Sequence, residues 1–396
     1  MAIESRAMLL VASLALCFVA QDPPGDSPGV LSYDNGLRAE MKSGSAWARL
    51  NGRWMHDWGD VPPAWRAEPG VSDETRRLRL ILLGEWGSRL AFKTQGEFKH
   101  GDPHLLEWLV DWKSPDRPDV RVGHFREPFG LDARTSSAHL SFVERAAPTQ
   151  ALTFGRNRGL TVRRSNLGSS WALGAFREAG GLADEGLLDN TAITGRATWL
   201  PLGSVADTDQ GDFIHLGLSA TYRDTRADGI RLTADPEIHL ARRAGDTGTI
   251  AADSAAGLIV ESAWVRGILT TQAELFLTRL DQTGGGHALM NGGYVQVAAV
   301  LTGERRSYRE STRSFGGLPV QHPTLGAGGS GAWEVGGRYS RTDLDDGVIQ
   351  GGVVDNFTLG LTWHLNSNTR WMINHVQTSG GAGDEGLLAI RLQTGF

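Results

Sequence analysis

The sequence predicts an all-β protein, a 16-stranded antiparallel barrel that crosses a membrane with its strands. Three observations lead there. Polar and apolar residues alternate with period two through the chain after residue 45. The alternating runs approach the ~9–11 residues of a tilted membrane strand, where a soluble sandwich would use about five or six. Aromatic residues sit at the ends of the apolar faces, as in the girdles at a bilayer surface.

The N-terminus has the pattern of an export signal. Leu9 to Ala20 reads LLVASLALCFVA after Arg6, a short apolar core behind a basic start. A membrane helix needs about 20 apolar residues, so this run is too short to span. Residues 1–20 read as a signal peptide, 21–45 as a periplasmic lead-in and 46–396 as the barrel. No other stretch is long and apolar enough for a membrane helix, so any span must be built of strands.

The strands follow in order. Trp47 to Trp54 sets Arg49, Asn51 and Arg53 against Ala48, Leu50, Gly52 and Trp54. Arg77 to Trp86 sets Arg77, Arg79 and Glu85 against Leu78, Leu80, Leu82 and Trp86. From Arg89 the run RLAFKTQGEFK sets Lys93, Gln95, Glu97 and Lys99 against Leu90, Phe92 and Phe98. Leu105 to Lys113 opposes Glu107 and Asp111 to Trp108, Val110 and Trp112; Phe213 to Arg223 opposes Ser219, Thr221 and Arg223 to Leu216, Leu218 and Tyr222. Near the end Thr358, Thr362 and His364 oppose Phe357, Leu359, Leu361 and Trp363, and Arg391 and Gln393 oppose Leu388, Ile390, Leu392 and Phe396. Sixteen such runs lie near 46–55, 75–86, 88–99, 104–113, 119–126, 157–164, 170–178, 190–200, 211–223, 257–266, 268–280, 290–303, 331–342, 352–365, 368–378 and 387–396. An even count fits a bacterial outer-membrane barrel. Gly87, 114–118 and 166–169 read as tight turns. The connections 56–74, 127–156, 224–256 and 304–330 are long, and a long loop without regular structure is functional or disordered. In a barrel this wide such loops can fold inward and narrow an aqueous lumen.

Composition excludes other classes. Forty percent apolar and 21% charged residues are too balanced for disorder. One cysteine rules out a disulfide framework or a Cys-rich zinc site. A net charge of -6 gives no reason to expect nucleic acid as a partner. Four of the 39 basic residues are lysine and the other 35 arginine. Gly326-x-Gly328-x-x-Gly331 and Gly381-x-Gly383-x-x-Gly386 match a dinucleotide pattern but open no helix of a βαβ unit, so they read as turn glycines. Asp343, Asp345 and Asp346 lack the closing Glu of a calcium loop. No metal or organic cofactor is expected.

Three stretches carry a family resemblance. VRVGHFREPFGLDARTSSAHLSFVERAAPTQALTFGRNRGL, from Val120, resembles the fifth strand and constriction loop of the phosphate-selective porins of the O and P type. Arg76-Arg77-Leu78-Arg79-Leu80 resembles the paired arginines that open that family's second strand. LTGERRSY at 301–308, GAWEVGGRYS at 331–340 and LGLTWHLNSNTRWMINHV at 359–376 resemble its C-terminal third. Two features differ: Ala138 follows Ser137 where the family often has Lys, and lysines are few. The resemblance implies a homotrimeric outer-membrane channel, embedded in lipid, that takes up phosphate or related small anions and whose 127–156 loop folds inward.

A pore selects anions by presenting files of cations to a narrow aqueous path. The candidates are Arg76, Arg77 and Arg79, Lys93 and Lys99, and Arg121, Arg126, Arg134, Arg145, Arg156 and Arg158 on the strand and loop of the constriction. Guanidinium forks match phosphate oxygens and stay charged at any relevant pH. The competing role for each is an ion pair with Glu85, Glu97, Glu107, Asp132 or Glu144 that only supports the wall. A barrel-embedded hydrolase, with His124 or His139 beside Ser136 or Ser141, and a soluble secreted β-protein are the alternatives from other classes.

Overall fold

The computed structural model describes residues 30–33, 36–41, 44–101, 103–178, 190–204, 211–324, 328–380 and 383–396. The expected signal peptide lies outside them. Sixteen long strands run in chain order: β1 Ala46–Asp60, β2 Asp73–Trp86, β3 Leu90–Glu97, β4 His104–Trp112, β5 Asp119–Arg126, β6 Arg156–Ser165, β7 Ser169–Arg177 and β8 Thr191–Leu202. The second half is β9 Phe213–Asp224, β10 Ala252–Arg266, β11 Leu269–Gln282, β12 His287–Val300, β13 Ala332–Asp346, β14 Ile349–His364, β15 Arg370–Gly380 and β16 Gly383–Gly395. Each pairs antiparallel with the next, and β16 returns to β1 from Leu388↔Asp60 to Gly395↔Arg53. The barrel is closed, so its wall has no free edge.

The terminal ring seats the closure. Phe396 and Gly52 exchange backbone hydrogen bonds of 3.2 and 3.1 Å. A Cβ on Gly52 would lie 2.0 Å from Phe396 Cε1, so only glycine leaves room for the aromatic ring there.

The packing is the reverse of a soluble protein. Exposed positions on the strands are apolar, among them Leu218 at 51%, Trp199 at 57% and Phe357 at 51%. Many buried ones are polar or charged, among them Arg223 at 0%, Thr358 and Asn374. A chain that shows Leu and Trp to its surroundings and hides Arg and Thr is built for lipid outside and polar contents inside. Trp86, Trp112, Trp171, Trp199, Trp264 and Trp371 all sit within four residues of a strand end at one rim, the rim of the tight turns. That rim holds the two-residue turn Gly267-Ile268, where Gly267 takes φ 55°, a left-handed value that glycine adopts without strain.

All sixteen expected strands are present, several longer than the alternation indicated. β1, β10, β13 and β14 extend five, five, four and three residues further toward the rim of the longer loops. Pieces the period-two pattern missed are three short hairpins. Val30–Tyr33 pairs with Leu37–Glu40, which adds to the start of β1. Ile230–Ala234 pairs with Gly245–Ile250, and Tyr308–Arg309 with Ser314–Phe315.

Among the described residues, three segments fill the lumen. The 127–155 loop carries two short helices, Leu131–Arg134 and Ala147–Ala151. Its interior position follows from its partners: Leu131 N and Asp132 N donate to Glu274 on β11 at 2.6 and 2.9 Å, and Val143 N donates to Asn374 on β15 at 3.0 Å. The 225–251 segment packs beside it, with Leu232, Ile238 and Leu240 buried. The 301–331 segment enters from the opposite, tight-turn rim. Its Tyr308 and Phe315 pack on Phe213 of the wall and Leu131 of the first loop.

Candidate functional site

The constriction loop is tied down by arginines of the far wall. Arg370 donates to Leu140 O at 2.8 Å, Arg391 to Val143 O, Arg338 to Glu144 O at 3.1 Å, and Gln393 to Ala138 O at 3.2 Å. Arg306 of the 301–331 segment donates to His139 O. The loop's own carboxylate reaches back: Glu144 accepts from Arg76 at 2.8 Å, Arg77 at 3.3 Å and Arg391 at 2.7 Å. Burial pushes the Glu144 carboxyl up, but Arg76, Arg77 and Arg391 outweigh it and hold it well below the usual carboxylate range. Glu237, from the 225–251 segment, takes Arg338, Ser340, Thr358 and the Ala147 N–H.

The expected arginines and lysines fall into distinct groups. Arg79 pairs with Glu97 at 2.6 Å; Lys93 and Arg156 share Glu107 at 2.8 and 2.9 Å; Arg121 grips Asp111 through two bonds of 2.7 and 2.8 Å. With Arg76 and Arg77 on Glu144, these six cations support the wall and loop through carboxylates. Lys99 sits on a single turn, Lys99–Gly101, beyond the end of β3. Arg158 belongs elsewhere: the register of β6 sets it on the face of Leu160 and Val122, which are exposed outward. Asn157, Thr161 and Arg163 take the opposite face of β6, while Arg156, its first residue, reaches Glu107.

Arg126, Arg134 and Arg145 are held differently. Arg126 donates to Ala133 O and, at 3.3 Å, to Thr135 O. Arg134 donates to Arg126 O at 2.8 Å, and Arg145 to Asp132 O at 3.0 Å and to Thr135 O. All three are half-buried, and neutral carbonyls are their acceptors. Three arginines that the sequence reading did not single out share this arrangement. Arg53 donates to Ser137 Oγ at 3.3 Å, Arg370 to Leu140 O and Gln393 Oε1, and Arg309 faces His139 Nε2 at 3.0 Å. Arg53 lay in plain view on the polar face of β1. Arg370 sits in a strand without a clean apolar face, and Arg309 in a long loop whose only signal is Arg305, Arg306, Arg309 and Arg313 close together.

A chamber of about 620 Å³ opens below the loop toward the tight-turn rim. Arg126 and Arg134 line its inner end, Arg121, Arg163 and Arg196 its wall, and Arg309 and Arg313 the inward segment. A second cavity, about 600 Å³, lies on the other side of the loop between His124, Phe154, Arg156 and Asn190. The hydrolase alternative finds no support in geometry: His124 bonds Arg156 O at 3.1 Å, and His139 meets Arg309 rather than Ser136 or Ser141.

Residues 49–381 match the family "Phosphate-selective porin O and P". The chain belongs to that family. It is a porin of the outer membrane, with the tight-turn rim periplasmic as in such barrels. Porin O of Pseudomonas aeruginosa is 25% identical over 383 residues, 85% of this chain and 84% of that one. A Caulobacter vibrioides protein described as uncharacterized is 27% identical over 374 residues, 89% of this chain and 72% of the other. The anion-selective porin of Comamonas acidovorans shares the fold at a TM-score of 0.54 and 14% identity, covering 89% of this chain and 100% of its own. The OprB structure of Pseudomonas putida matches at a TM-score of 0.55 and 12% identity, with 89% and 94% coverage.

Proposed function

We propose that this porin conducts phosphate and related small oxyanions, and that its selectivity comes from arginines whose guanidiniums are bonded to no carboxylate. Arg126, Arg134 and Arg145 on the constriction loop, with Arg53, Arg309 and Arg370 around it, form that set. The observation that carries the reading is their choice of acceptor: backbone carbonyls, Ser137, Gln393 and His139 position each guanidinium without a bond to a carboxylate. Arg76, Arg77, Arg79, Lys93, Arg121 and Arg156 act mainly as structure, although Glu107 and Asp111 are each shared by two cations and leave a positive surplus. Ala138 itself brings no charge, and Arg53, bonded to the adjacent Ser137, supplies one beside it. Several modest sites suit a conductor, which must release its ion as well as attract it. The family name and the anion-selective neighbour support the anion class. The experiment is planar-bilayer recording under a salt gradient, with chloride and then phosphate. A reversal potential of the anion-selective sign is expected, and cation preference would end the reading.

The assembled state proposed is a homotrimer. One structural neighbour, OmpT of Vibrio cholerae, was solved in a trimer form and matches at a TM-score of 0.54. The wall itself supports association: β3 to β7 have 8, 9, 8, 10 and 9 residues, against 11 to 16 elsewhere. A low wall is poorly matched to a hydrocarbon layer about 30 Å thick and fits better against another barrel. Native mass spectrometry in detergent tests this; a monomer alone would refute it.

A further inference from the structure

Two inward segments from opposite rims meet in the lumen, through Leu131 with Tyr308 and Phe315 and through one imidazole. His139 stands on the constriction loop. The Arg309 guanidinium, on the Tyr308–Arg309 strand of the 301–331 segment, lies 3.0 Å from His139 Nε2. Arg306, three residues earlier, donates to the His139 carbonyl. Gly317 backs the ring, where a Cβ would lie 3.3 Å from Cε1 and Nδ1. A guanidinium only donates, so Nε2 must be a lone-pair acceptor and the ring is neutral with its proton on Nδ1. The charges that act most strongly on the ring are cations: Arg309 and Arg306 from the segment, Arg53 from β1 and Arg370 from β15. His364, which lines the same crevice, is taken up by Glu334 at 3.1 Å. Arg309 is itself exposed and lines the 620 Å³ chamber.

We infer that Arg309 is a specificity-determining residue of the channel and that His139 is its positioning residue, a neutral acceptor that fixes the guanidinium at the seam and leaves its charge free for an oxyanion. The inference rests on the anion-channel reading above. A carboxylate in the place of His139 would hold Arg309 at least as firmly but cancel its charge. A neutral acceptor is therefore what the role requires, and a residue that merely fills space would not show that requirement.

The test uses the full-length protein in planar bilayers under gradients of potassium chloride and potassium phosphate. Wild type comes first. If it does not prefer anions, the functional reading fails and the variants are not needed to see it. With wild type anion-selective, Arg309→Glu should lower the anion-to-cation permeability ratio several-fold and Arg309→Lys should keep most of it. His139→Asp should bring the ratio down toward that of Arg309→Gln, while His139→Asn stays near wild type. Equal ratios for His139→Asp and His139→Asn, or an unchanged ratio in Arg309→Glu, would overturn the inference. If His139→Asp fails to assemble, Arg309→Gln against Arg309→Lys decides, and equal ratios there overturn it as well.

Discussion

Arg76 and Arg77 are neighbours in sequence, yet both guanidiniums rest on one carboxylate, that of Glu144. Successive side chains of a regular strand point to opposite faces. A bulge resolves the conflict: Met55 pairs with Arg77 and His56 with Thr75, so Arg76 is the extra residue and turns inward with its neighbour. The bulge thus converts a paired-arginine motif into a clamp on the constriction loop. Glu144→Ala would leave Arg76 and Arg77 without a carboxylate. Breaking a buried pair from one side costs about 3–5 kcal/mol, and the other wall contacts persist, so the loop should loosen rather than the barrel unfold. Single channels should show a larger, noisier conductance. A quiet wild-type trace from Glu144→Ala would remove Glu144 as the anchor.

Closure depends on Gly52 in a way that conductance does not. A Val side chain there would collide with the Phe396 ring, which sits where the Cβ would be. Gly52→Val should fold more slowly into detergent micelles and lose thermal stability, while Gly52→Val combined with Phe396→Ala should recover part of that loss. Independent, additive effects of the two substitutions would show that the ring and the glycine are not coupled.

Acidification should weaken the seam. Burial, with Arg309, Arg53, Arg370 and Arg306 nearby, holds the His139 imidazole well below its ordinary value. In the unfolded chain it titrates near 6.5. A depressed folded value means that the unfolded state binds the proton first, so the stability tied to neutral His139 is present above about pH 6.5 and falls as pH drops below it. Selectivity should therefore stay flat from pH 8 to pH 7. Melting temperature should fall more steeply between pH 6.5 and 5 in wild type than in His139→Asn. Equal slopes would show that His139 does not carry the effect.

The barrel was legible because its physics repeats. Leu216, Leu218 and Tyr222 against Ser219, Thr221 and Arg223 state which face meets lipid, and sixteen such statements constrain one another through register. The lumen contents carry no such repeat. Whether Arg77 ends on a carboxylate and Arg126 on a carbonyl depends on residues of the inward loop, Glu144 and Thr135 among them, and on a bulge that leaves no mark in composition. Arg309 was hidden for the same reason: a loop of 31 residues between β12 and β13 gives no periodicity from which to place a side chain. Arg158 shares the face of Leu160 through the pleat of β6, a placement that its position in the family motif does not state.

The central claim is that the acceptor of each arginine decides whether its charge serves the pore. Coulomb coupling between groups about 4 Å apart is several kcal/mol at the effective dielectric of a protein surface, and it fades beyond about 8 Å at physiological salt. Two double variants separate the classes: Arg126→Gln with Arg145→Gln removes carbonyl-held charge, and Arg79→Gln with Glu97→Gln removes a neutralised pair. The decisive measurement is the reversal potential of both, in one potassium phosphate gradient, beside wild type. The account predicts a large fall in anion preference for the first and a value near wild type for the second. Equal shifts in the two, or a shift only in the second, would contradict it.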